Sequence, residues 1–208
     1  MNLTELHLTS YLDLLSSGEP APGGGSASAL TGAQGLALVL MVADLTTGKE
    51  KYKDSQALCL SVREQGIPLF EEMVRAVDQD TEAFNGVMAA YRLPKDTEEQ
   101  KQARTAAIRA ANREATRVPF HVMELALEGL KLAASLAGKS NETAASDLGV
   151  AALSLKAAAD GAGLNVGINL GGIKDTELEE MYRREVARLS EDCARLAGEV
   201  LETVRASI

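Results

Sequence analysis

Apolar residues recur along most of this chain at the three- and four-residue spacing of an α-helix. Leu3, Leu6, Leu8, Tyr11, Leu12 and Leu15 mark a first amphipathic segment over residues 1–16, closed by Gly18 and Pro20. It predicts a packing helix or a lid. Residues 27–43 are uncharged and rich in small side chains, among them Ala29, Gly32, Ala33 and Gly35. That stretch predicts a buried helix able to approach its neighbours closely. A long helical pattern then runs from Glu50 to about Arg92, with a break or kink expected at Gly66 and Pro68. Phe70, Met73, Val74, Val77, Phe84, Val87 and Met88 lie on its apolar stripe.

Beyond Pro94, Asp96 or Thr97 stands where it would cap a highly charged helix, which Pro119 is expected to kink. Gly138 to Asn141 predicts a turn. A second small-residue helix opens at Ser146 and Asp147, and Gly161 and Gly163 are expected to interrupt it. Asn165 and Asn169 follow at a four-residue spacing, on one face if helical. Gly171-Gly172 predicts a turn, and residues 175–208 a last amphipathic helix. No stretch predicts a strand, no repeat is visible, and no linker divides the chain. The expected fold is all-α: one domain over residues 1–208, a bundle of long kinked helices.

Composition sharpens this picture. Of 208 residues, 46% are hydrophobic but only 3% aromatic, so small aliphatic side chains must fill the core. Helices with such faces predict that some apolar surface is buried in a homodimer. A net charge of -9 argues against nonspecific nucleic-acid binding, which depends on Lys and Arg neutralising phosphate. Cys59 and Cys193 fit no metal or redox spacing and predict two reduced, partly buried thiols in a cytoplasmic protein. His7 and His121 are isolated, so no metal site is expected. The N-terminus lacks the basic start and apolar core of a signal peptide, and residues 27–43 fall short of a membrane span.

The stretch with most chemical content is residues 22–52, PGGGSASALTGAQGLALVLMVADLTTGKEKY. Gly23, Gly24 and Gly25 allow close approach of a ligand to the backbone, and Ser26 is a plausible N-cap. The amides beyond it would suit an anionic or carbonyl group; a flexible entry turn is the plainer alternative. Asp44 sits near the helix C-terminus, where its charge gains nothing from the dipole. Lys49, Lys51 and Lys53 cluster around Tyr52. Further on, Asp80 and Phe84 are four apart and share a helix face, so a carboxylate could stand beside an aromatic wall. A solvated Asp80 and a core Phe84 would fit the spacing equally well.

Taken whole, residues 22–52 resemble the opening of the cyclodeaminase/cyclohydrolase family of folate enzymes. DTEAFNGVMAAYRLPKDTEEQ at residues 80–100 and SDLGVAALSLKAAADGAGLNVGINLGGIKD at residues 146–175 resemble the same family, in the same order. The resemblance implies a homodimeric enzyme acting on the one-carbon unit of a tetrahydrofolate derivative. No metal and no cofactor beyond that substrate is implied. It points first to a 5,10-methenyltetrahydrofolate cyclohydrolase and next to a formiminotetrahydrofolate cyclodeaminase; a noncatalytic helical dimer binding folate or a partner is the alternative of another class. On this footing Asp44, Asp80 and Asp147 are candidate catalytic carboxylates, and Lys49 a proton donor or water-orienting group. Gly23, Gly24, Gly25, Ser26, Asn165 and Asn169 would hold the pterin, with Phe84 and Tyr52 as ring contacts. Lys51, Lys53, Arg92 and Lys95 would meet the glutamate tail. The glycine corner, Asp44, Lys49 and Asp147 are expected to line one cleft, within a subunit or across the dimer interface.

Overall fold

The computed structural model describes residues 2–208; Met1, at the start of the first predicted segment, lies outside them. Six α-helices and three 3-10 turns make up the fold, with no strand among the described residues. The helices are α1 (Leu8–Leu15), α2 (Gly24–Thr46), α3 (Gln56–Tyr91), α4 (Glu98–Leu136), α5 (Ala145–Ile173) and α6 (Thr176–Ser207). The apolar α2 and α5 form the centre. α3 and α4 flank α2, while α4 and α6 flank α5. By length and hydropathy α2 could cross a membrane, yet most of its apolar window is buried inside the bundle.

Small residues set the central spacing. A Cβ on Gly35 would stand 3.1 Å from the Ala151 carbonyl oxygen, so α2 and α5 approach almost backbone to backbone. Both α3 and α5 run antiparallel to α2. Ser26 at its start meets Asp80, and Thr46 at its end accepts a hydrogen bond from the Asn141 amide at 2.9 Å. The bundle thus has two chemically different ends, a glycine end and an Asp44 end.

Several boundaries differ from the sequence pattern. The first segment is a 3-10 turn, Leu3–Glu5, followed by the short α1, because the Leu3 amide and the Thr4 hydroxyl both donate to Asp78 on α3. Gly23, not Ser26, is the N-cap of α2. Residues 50–55 form a 3-10 turn before α3 begins. Pro68 and Pro119 lie inside continuous helices. Nor do Gly161 and Gly163 interrupt α5: they make room for the Ser28 hydroxyl and for Met123. The chain leaves α5 not at Gly171-Gly172 but at Lys174, whose φ of 56° is left-handed. Thr97 does cap α4, accepting from the Gln100 amide at 3.2 Å while the Gln100 side chain accepts from the Thr97 amide.

Candidate active site

At the glycine end the start of α2 meets the second half of α3, the middle of α4 and the end of α5 around a cavity of about 320 Å³. Gly24 and Gly25, Asp80, Phe84 and Val87, Asn112 and Ala115, and Asn165, Ile168 and Asn169 line it, with Pro20 and Ala21 from the preceding loop. Asp80 and Phe84 share this face as their spacing predicts.

Asp80 is the cavity's one carboxylate. The Ser26 amide donates to it at 2.8 Å and the Ser26 hydroxyl lies 3.2 Å away. That hydroxyl is itself fully buried and reaches the Val77 carbonyl oxygen at 2.8 Å. Burial raises the Asp80 pKa above the usual carboxylate value, and the two Ser26 contacts oppose the rise. Gly25 is required for packing: a Cβ there would fall on the Asp80 carboxyl group. Behind this corner lies Tyr11, whose buried hydroxyl has no hydrogen-bond partner among the described residues. Burial, and then the charge of Asp80, raise its pKa.

Three asparagines form the opposite wall. One amide N–H of each is committed to a carbonyl: Asn112 to Ile108 at 2.8 Å, Asn165 to Gly161 at 2.8 Å, Asn169 to Ala115 at 2.7 Å. The last contact has a covalent origin. Pro119 has no N–H to offer the carbonyl four residues earlier, which leaves the Ala115 oxygen free for Asn169. Their side-chain oxygens accept no protein hydrogen bond among the described residues, so each can read a ligand's N–H. A cavity with one half-buried carboxylate, an aromatic edge and fixed amides suits a flat, cationic, nitrogen-rich ring.

Gly23, Gly24, Gly25, Ser26, Asp80, Phe84, Asn165 and Asn169 therefore gather here, as far as one chain is concerned. Asp44, Lys49, Lys51, Tyr52 and Asp147 do not. Twenty residues of α2 separate Asp44 from Gly24, about 30 Å at the helical rise. Asp44 pairs with Arg63. Lys51 pairs with Glu142 at 2.7 Å, and the Tyr52 hydroxyl accepts from the Glu142 amide at 3.0 Å. Lys49 is exposed in the turn after α2, and Asp147 is half-buried in the first turn of α5, where the dipole favours a negative charge. Arg92 is exposed just past the end of α3. The single cleft expected for the glycine corner, Asp44, Lys49 and Asp147 is thus not formed within one chain. Asn112 lines the cavity with no sequence signal, since it reads as part of a charged solvated helix, whereas Val87 belongs to the apolar stripe of α3 and Ile168 stands between Asn165 and Asn169. No group of three or more His, Cys, Asp or Glu side chains placed to hold a metal occurs among the described residues.

The Formiminotransferase-cyclodeaminase family profile matches residues 7–188. Over 97% of both chains the sequence is 40% identical to a methenyltetrahydrofolate cyclohydrolase of Methylorubrum extorquens. It is 33% identical to a formimidoyltransferase-cyclodeaminase of Sus scrofa, covering 96% of this chain but 37% of that longer protein. The fold superposes on the crystal structure of a formiminotetrahydrofolate cyclodeaminase from Thermotoga maritima with a TM-score of 0.79, at 27% identity, covering 98% of this chain and 96% of that one. A matched profile over most of the chain, a relative matched over its full length and a shared helical fold lead to one conclusion: this chain belongs to the formiminotransferase-cyclodeaminase family.

Proposed function

We propose that the protein is a 5,10-methenyltetrahydrofolate cyclohydrolase and that the Asp80 cavity receives the pterin with its cationic methenyl bridge. The observation that carries the chemistry is Asp80: a half-buried carboxylate with raised proton affinity, held by the amide and hydroxyl of Ser26. The full-length cyclohydrolase relative supports this substrate. Ionised Asp80 attracts the amidinium and accepts a proton as water adds to the methenyl carbon. In the resulting carbinol the bond from that carbon to N5 breaks, and its electron pair stays on N5. Protonated Asp80 returns its proton to N5, while the hydroxyl loses its proton to solvent as the formyl C=O forms. One water is consumed and one proton released. Asn112, Asn165 and Asn169 orient the pterin edge, and Phe84 walls its ring.

The cyclodeaminase neighbour in structure favours a second reading, in which N10 attacks a formimino carbon and Asp80 protonates departing ammonia. Purified protein assayed on methenyl- and formiminotetrahydrofolate separates the two. Accelerated ring opening without ammonia release is expected. Ammonia release would make the second reading correct, and neither activity would leave a noncatalytic binder.

The functional form is a homodimer in this proposal. Val150, Leu153, Leu164 and Ile168 leave α5 an exposed apolar stripe, and Leu45 exposes more on α2. A twofold axis crossing the middle of these helices sets two copies antiparallel. It brings Asp44, Lys49 and Asp147 of one copy towards the glycine end of the other, so that Lys49 can orient the water across the interface.

A further inference from the structure

A second groove opens beside the Asp80 cavity and shares Asn112, Ile168 and Asn169 with it. Its volume is about 520 Å³, larger than the first. Two cations line it, Arg109 on α4 and Lys174 at the end of α5, and no carboxylate does. In a chain of net charge -9, a groove lined by cations and no carboxylate is a local positive site that suits an anionic ligand. Arg109 and Lys174 make no ion pair among the described residues. Apolar surface lines the same groove: Ile168, which is 82% exposed and shared with the first cavity, and the ring of Tyr91. The Arg104 guanidinium steadies that ring, lying 5.6 Å from its centroid and donating to the Tyr91 carbonyl oxygen at 3.1 Å. The groove thus combines an amide seam shared with the first cavity, apolar surface and two cations.

We propose that this groove takes the aminobenzoyl-glutamate half of the substrate, the aromatic ring against Ile168 and Tyr91 and the glutamate carboxylates on Arg109 and Lys174. The assignment rests on the cyclohydrolase reading of the adjoining cavity. Of the cations first expected to meet the tail, Lys51 is held by Glu142 at the opposite end of α2, whereas Arg92 directly follows Tyr91 of this groove. Each added glutamate brings another carboxylate to the same positive groove, so longer tails bind more tightly at low salt.

The test compares wild type with Arg109→Gln/Lys174→Gln on three substrates: polyglutamated 5,10-methenyltetrahydrofolate, the monoglutamate, and the tail-less methenyltetrahydropteroate. The double variant is expected to raise KM about tenfold or more for the polyglutamate, the scale for losing charge-assisted hydrogen bonds. The increase should be smaller for the monoglutamate and absent for the pteroate, with kcat unchanged throughout. Lys174→Glu, a reversal on an exposed side chain, should exceed Lys174→Gln in the same order. An active wild type whose variants keep their KM on every substrate overturns the tail site alone. So does an equal KM increase on the tail-less pteroate, which would betray a distorted pterin cavity, or a tail-dependent loss in Lys51→Gln instead. A wild type that opens no methenyl substrate overturns the functional reading, and the tail site with it.

Discussion

At the scale of single residues, Asp80 shows how burial and local donors divide the control of one proton. Burial disfavours the charged form, while the Ser26 amide and hydroxyl favour it, and burial prevails. Folding therefore binds a proton at Asp80 more tightly than the unfolded chain does. The stability gained from that proton is complete below the ordinary carboxylate value of about 4 and is lost as pH rises through the raised one. Asp80→Asn, which keeps the shape and the acceptor for the Ser26 amide, should then melt higher than wild type at neutral pH. The gap should close below about pH 4, where Asp80 is protonated too. Turnover should fall roughly a hundredfold or more, the usual scale for a positioned proton-transfer group. Thermal melts across pH together with initial rates check both halves. A variant that is less stable at neutral pH, or fully active, would refute this account of Asp80.

At the scale of elements, Pro119 links helix chemistry to the site. In Pro119→Ala the restored N–H would return to the Ala115 carbonyl and compete with Asn169 for it. Stability should rise by about 1–3 kcal/mol, since an interior proline costs about 3 kcal/mol or more. Yet KM should increase several-fold as Asn169 loses its anchor, with little change in kcat; an unchanged KM would detach Asn169 from the substrate. The sequence pattern made the helices legible, because their apolar spacing is regular and Thr97, one of two cap candidates, closes a capping box at the start of α4. It misjudged the interruptions, because Pro119 and Gly161 answer to neighbouring helices rather than to their own. Gly161 yields space to Ser28 and Pro119 releases a carbonyl for α5, and neither partner is near in sequence. The same cause hid part of the site. Asp80 with Phe84, and Asn165 with Asn169, are readable as four-residue pairs on one helix, whereas Asn112, Arg109 and Lys174 reach it only through the packing of α4 on α5.

At the scale of the whole molecule, the 30 Å between Asp44 and Gly24 fixes what a single chain can do. If Asp44 belongs to the same reaction as Asp80, the two must come from different subunits. Mixing experiments distinguish that arrangement from a self-sufficient subunit. Asp44→Asn and Asp80→Asn should each be nearly inactive alone, since every site in either homodimer lacks one carboxylate. When the two are unfolded together and refolded at equal amounts, half of the dimers are mixed. With a shared site, one of the two sites in a mixed dimer draws both altered residues and the other draws none. About one quarter of wild-type activity should then return, from one intact site in half of the dimers. With each site built inside one subunit, every site keeps a lesion and no activity returns. Sedimentation supplies the companion measurement: the mixture must be dimeric at assay concentration, and a stable monomer with full wild-type activity would exclude the shared site and leave Asp44 as the surface partner of Arg63.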